Sequence, residues 1–149
     1  MITKQTLEND LKEAMRSGDE VKKRTLRMVL STLKLSEVDK RSSLDSDELL
    51  GIIQKEVKSR QETIDEAEDL GRQALVDSTQ AEIDILQDYL PEALTQQELE
   101  QIVLETIAET DASGPQDMGN VMKAIMPKIR ARADGKTVSA LVQQKLSAA

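Results

Sequence analysis

Ile83-Asp84-Ile85-Leu86-Gln87-Asp88-Tyr89-Leu90-Pro91-Glu92-Ala93-Leu94-Thr95-Gln96-Gln97-Glu98 is the stretch on which the reading of the fold turns. Up to Leu90 it turns Ile83, Leu86 and Leu90 inward at helical spacing. Pro91 then removes the N–H that would continue the helix. Four residues later Thr95-Gln96-Gln97-Glu98 is a full capping box that opens another helix. Two sets of amphipathic helices are expected to meet here: an N-terminal helical domain over residues 1–91 and a smaller C-terminal helical domain over 92–149.

On the N-terminal side the same logic repeats. Thr3 can start a helix carrying Leu7, Leu11, Ala14 and Met15 on one stripe, which stops at Ser17-Gly18-Asp19. A second helix presents Leu26, Val29, Leu30 and Leu33 and ends in Asp39-Lys40-Arg41-Ser42-Ser43. Asp45 with Glu48 caps a third, with the stripe Leu50, Ile53, Val57 and Ile64, and a fourth runs from Arg72 to about Tyr89. Beyond Thr95 the fifth uses Leu99, Ile102, Val103 and Ile107. After the loop Asp111-Ala112-Ser113-Gly114-Pro115, two short helical pieces are predicted, one around Val121–Met126 and one opened by Pro127 and closed by Asp134-Gly135. Val138, Leu141, Val142 and Leu146 make the last stripe. No run of alternating β-branched residues suggests a strand, so the fold class is all-α.

Composition narrows the chemistry. The 149 residues contain no His, Cys, Trp or Phe and one Tyr. This excludes a His-based triad, a Cys nucleophile, a His/Cys zinc site and a disulfide. No apolar run is long enough to span a membrane, and the N-terminus lacks the apolar core of a secretory signal. The expectation is a cytoplasmic protein without cofactor, metal, membrane partner or evident small-molecule substrate.

The net charge of −8 is unevenly spread. Residues 1–41 hold 10 Lys/Arg against 7 Asp/Glu, residues 42–120 hold 4 against 20, and residues 121–149 hold 6 against 1. Basic ends around an acidic middle are compatible with a nucleic-acid partner, and equally with charges that pair between regions. Gly135-Lys136-Thr137 is not a P-loop, because Arg130 stands where the earlier glycine must be and no strand precedes it. Asp45, Asp47 and Glu56 fit three positions of a calcium loop, but Leu50 replaces its turn glycine. The run Glu62, Asp65, Glu66, Glu68 and Asp69 reads as a hydrated helix face.

The basic positions carry more. Lys23, Arg27 and Lys34 form one stripe beside the Leu26–Leu33 face, a possible secondary basic surface. Lys128 and Arg132 lie at i, i+4 with Arg130 on another face, and Lys136 begins the last helix, where free N–H groups favour a phosphate. With Tyr89 the only aromatic, and placed at a helix end, base stacking is unavailable. What remains is recognition of the backbone and shape of a folded RNA.

A series of residues identifies a family. It comprises Asp10-Leu11-Lys12, Ala14-Met15, Thr25-Leu26-Arg27-Met28, Glu56-Val57-Lys58-Ser59-Arg60, Gly71-Arg72 and Ile85-Leu86 leading to Tyr89-Leu90-Pro91. It continues with Asp117-Met118-Gly119-Asn120-Val121-Met122, Pro127, Arg132-Ala133-Asp134-Gly135-Lys136 and Val138-Ser139. Over essentially the whole chain this resembles the YqeY family, free-standing relatives of the C-terminal tail of the GatB subunit of tRNA-dependent amidotransferases. The resemblance implies an all-helical fold with a GatB-tail-like C-terminal domain. In GatB that tail contacts the folded body of the tRNA, away from the active site, and a similar module precedes the catalytic part of some glutaminyl-tRNA synthetases.

Carried over residue by residue, the resemblance makes Arg132 and Lys136 the expected RNA contacts, with Lys128 and Arg130 beside them. Asp134 then caps the last helix, and Gly135 serves a turn with positive φ. The chain departs from the family at Asn120, where Lys is frequent, and at Ala131, where Gly is usual. The reading this favours is a non-catalytic module that binds folded tRNA or a tRNA-processing enzyme. Reversing Arg132 and Lys136 to Glu should then abolish binding with the fold intact. The alternatives are carbon–nitrogen ligase activity with glutamine as amide donor in the chain itself, or a protein–protein adaptor using the acidic middle.

Overall fold

The computed structural model describes residues 2–148; positions 1 and 149, the outer ends of the two expected domains, lie outside them. Among the described residues the fold is all-α, with no strand. Its helices are α1 (Lys4–Ser17), α2 (Glu20–Lys40), α3 (Ser46–Asp69), α4 (Gln73–Gln87), α5 (Gln96–Glu109), α6 (Met118–Ile129) and α7 (Gly135–Ala148). A 3-10 turn at Pro115–Asp117 leads into α6. The chain divides into two compact units, Met1–Pro91 and Glu92–Ala149.

In the first unit, side chains set the helix ends. Thr3 and Asp45 each form a reciprocal capping box, with Thr6 and Glu48, that satisfies donors the helix leaves open. Gly18, at φ +74°, ends α1 in the left-handed conformation glycine adopts most readily, and Asp19 then caps α2 by accepting the Lys22 N–H at 3.1 Å. Leu7, Leu26, Val29, Leu33, Leu49, Ile53 and Leu86 close into one buried cluster, against which Tyr89 and Leu90 pack. The Tyr89 hydroxyl donates to Asp10 Oδ2 at 2.5 Å, linking α1 to the segment after α4. Burial, then the neighbouring Asp10 carboxylate, pushes that phenol well above its usual range.

On α3 the buried set is Leu49, Ile53, Arg60, Ile64 and Ala67, so Leu49 takes the place expected for Leu50, and Val57 is half-buried. Arg60 is only 7% exposed. Its Nη1 donates to Glu56 Oε2 at 2.7 Å, and its Nε, which makes no hydrogen bond, lies 3.7 Å from Glu82 Oε2 on α4. Arg24 of α2 approaches the other Glu82 oxygen at 3.7 Å, so this carboxylate sits between two guanidinium groups.

The second unit is held by Leu99, Val103, Val121, Ile125, Ile129, Val138, Leu141, Val142 and Leu146. Thr95 and Glu98 form the expected capping box of α5. One expectation fails here: the two short pieces around Pro127 are one helix, because α6 runs through Pro127 to Ile129. A proline in the last turn forfeits only its own N–H bond, and the helix has little left to lose beyond it. Asp134-Gly135 likewise does not close a helix, since Gly135 is the first residue of α7.

Candidate nucleic-acid interface

The predicted contacts fall on the end of α6, the α6–α7 loop and the first turn of α7. Arg130 ends α6 at φ +43° and Ala131 follows at φ +66°, so two consecutive non-glycine residues reverse the chain in left-handed geometry. This overturns the expected role of Gly135, which has no positive φ and opens a regular helix; the tight turn lies four residues earlier. The turn also breaks the i, i+4 relation, because Lys128 is helical and Arg132 lies beyond the helix end.

The four cations are therefore held differently. Lys128 donates to Glu109 Oε2 at 2.6 Å and to Thr106 Oγ1 at 3.1 Å, so α5 holds its charge. Thr106 is fully buried and donates in turn to the Ile102 carbonyl at 2.7 Å. Arg132 is half-buried, and its Nε donates to the Glu92 carbonyl at 2.9 Å. Its own carbonyl accepts the Leu94 N–H at 2.9 Å. Arg130 is exposed, with Nε on the Pro127 carbonyl at 3.0 Å and no ion pair among the described residues. Lys136 is exposed, and unpaired among the described residues, in the first turn of α7, where open N–H groups add positive potential. Asp134 stands just before α7, and its carbonyl accepts the Val138 N–H at 3.0 Å. Over the whole unit, 8 Asp/Glu outnumber 6 Lys/Arg, so the positive character is confined to the α6–α7 side.

Glu98, on the acidic helix of the unit, sits below the usual glutamate range. The Thr95 backbone N–H is the main cause, aided by the Thr95 hydroxyl and by the charge of Arg132.

In the first unit, Lys23 is half-buried and 3.6 Å from Glu20, whereas Arg27 and Lys34 are exposed on the face of α2 away from the core. The five carboxylates of the acidic run of α3 are exposed, with Ile64 and Ala67 among them buried, and the described residues contain no group of three or more carboxylates placed to hold a metal ion. No described helix is long and apolar enough to cross a membrane. Sequence reasoning missed Thr106, Glu109 and the Glu92 carbonyl as partners of the basic positions. They lie 19 to 40 residues from the cations they engage, beyond any local spacing.

The model of the Yqey-like protein family matches residues 4–146. The chain belongs to the YqeY family. Relatives in that family share the name Altered inheritance of mitochondria protein 41, mitochondrial. The one from Pyrenophora tritici-repentis is 33% identical over 146 residues, covering 95% of this chain and 80% of the relative. That of Eremothecium gossypii is 41% identical over 85 residues, 56% of this chain and 46% of the relative. That of Saccharomyces cerevisiae strain YJM789 is 35% identical over 95 residues, 63% of this chain and 51% of the relative. This YqeY-family chain thus spans most of the first relative and about half of the other two.

Those names correct the expectation of location. Relatives named as mitochondrial conflict with a plain cytoplasmic assignment. The absence of an apolar leader was the wrong criterion, because mitochondrial targeting segments are amphipathic and Arg-rich rather than apolar.

Proposed function

We propose that this YqeY-family chain is a non-catalytic helical module that binds folded tRNA, or a tRNA-processing enzyme, through the α6–α7 side of its C-terminal unit. The observation that carries the reading is the pair Arg130 and Lys136, exposed on either side of one tight loop with no carboxylate among the described residues paired to them. Cations so placed gain by displacing counterions from a phosphate backbone, and with no aromatic platform beside them they read shape rather than sequence. Arg132 contributes by holding the loop, and Lys128 is a latent contact while Glu109 occupies it.

The test is binding of the full chain to bulk folded tRNA across a salt series, with an unstructured RNA of equal length as control. Arg130→Glu with Lys136→Glu is expected to weaken binding at least about tenfold and to flatten the salt dependence by roughly two counterions. Glu109→Gln, which frees Lys128, should strengthen it. Wild-type affinity in the double variant would overturn the reading, with urea unfolding verifying that the fold is unchanged.

A further inference from the structure

The outer face of α2 combines exposed aliphatic side chains with unpaired cations in a regular register. Met28, Leu35 and Val38 are 50%, 67% and 66% exposed, on the side opposite the buried Leu26, Val29 and Leu33. With Ser31 they fall at spacings of 3, 4 and 3, a heptad seam along a helix about 30 Å long. Arg27 and Lys34 stand seven residues apart along one flank of that seam, with Arg41 capping the helix beyond them in the left-handed conformation; all three are exposed, and among the described residues none is in an ion pair. The other flank carries Thr32 and Asp39.

We infer that this face docks an acidic amphipathic helix of a protein partner, with apolar residues laid along Met28, Leu35 and Val38 and carboxylates opposite Arg27, Lys34 and Arg41. The apolar row favours a helix over a nucleic acid, because phosphate oxygens gain nothing from covering aliphatic side chains. A membrane is disfavoured because an interfacial helix presents a broad apolar face, whereas this seam is narrow and cationic on one flank only. A second copy set antiparallel would bring the three cations against their own images. The inference concerns the first unit alone and does not depend on the RNA reading of the second.

The test uses the full chain and a synthetic helix of about four heptads, with Leu along its seam and Glu on its flanks, against the same helix with Lys in place of Glu. Fluorescence anisotropy should show binding of the Glu helix and not of the Lys helix. Leu35→Ser with Val38→Ser should weaken it about tenfold or more, and Arg27→Glu with Lys34→Glu should switch preference to the Lys helix. All four side chains are exposed, so these variants should unfold in urea as the wild type does. Equal binding of both peptides, or binding that survives Leu35→Ser with Val38→Ser, would overturn the inference. So would folded tRNA or phosphatidylserine vesicles occupying the face in place of the Glu helix, and so would a concentration-dependent dimer abolished by the same variants.

Discussion

Arg132 and Glu92 stand forty residues apart in the chain, yet the Arg132 Nε donates to the Glu92 carbonyl at 2.9 Å while the Arg132 carbonyl accepts the Leu94 N–H, also at 2.9 Å. This two-way clasp fastens the segment that leads into α5 onto the α6–α7 loop. An arginine carried over from a family signature as an RNA contact thus has a structural role of its own, and loss of function on its reversal would not report on RNA alone.

Arg132→Ala is expected to cost about 1.5 kcal/mol, the loss of one charge-assisted hydrogen bond. Urea unfolding of the full chain measures it. A variant as stable as the wild type would show that the side-chain half of the clasp contributes nothing, the backbone bond from Leu94 being kept in the variant.

Ala131 is held at φ +66°, where a Cβ is disfavoured and glycine is not. Ala131→Gly should therefore stabilise the protein by about 0.5–1 kcal/mol, against the usual entropic cost of a glycine. Gly135→Ala at the start of α7, with nothing within 4 Å of the added methyl, should be neutral or stabilising by up to about 0.5 kcal/mol. A loss near 1 kcal/mol in the second variant would place the turn at Gly135 after all. Thermal unfolding of both variants decides.

The lowered pKa of Glu98 gives a pH dependence of defined sign. In the folded chain the carboxylate is stabilised, so the unfolded state binds its proton first. The contribution is fully present above the ordinary glutamate range and is lost as pH falls through the lowered folded value. Glu98→Gln should remove this part of the acid destabilisation and leave the profile at neutral pH parallel to that of the wild type. Urea midpoints measured from neutral pH downward test it, and an unchanged acid limb would refute the assignment.

Arg60 lies between Glu56 and Glu82, largely out of water. Arg60→Ala leaves Glu56 without its ion-pair partner and Glu82 with Arg24 alone, and should cost about 3 kcal/mol. Neutralising the orphaned carboxylate with Glu56→Gln in the same chain should recover part of that loss. A double-mutant cycle by urea unfolding separates the charge effect from lost packing.

The helices were largely legible because their signals are local. Thr3, Asp45 and Thr95 cap helices from within three residues, and the last stripe of Val138, Leu141, Val142 and Leu146 is buried as its spacing required. The failures arose where locality ends. Pro127 suggested a new start, but whether a proline opens or merely occupies a helix depends on what the preceding turn packs against. Gly135 suggested a reversal that Arg130 and Ala131 make instead. Leu49 and Leu50 are adjacent, and only the neighbouring helices decide which of them turns inward.

By itself the sequence determined the all-α class, most helix ends, the family, and the absence of any His or Cys chemistry. Each follows from residue identity or from interactions spanning a few positions. Only the tertiary structure decided which charges are free. The sequence put Arg132 and Lys136 first, with Lys128 and Arg130 beside them, yet Glu109 from another helix neutralises Lys128 and a backbone carbonyl engages Arg132. Arg60 is buried, with Glu56 and Glu82 beside it, a placement that no local spacing in the sequence announces. A charge acquires its role from what lies within a few ångströms of it, and packing brings those neighbours from tens of residues away.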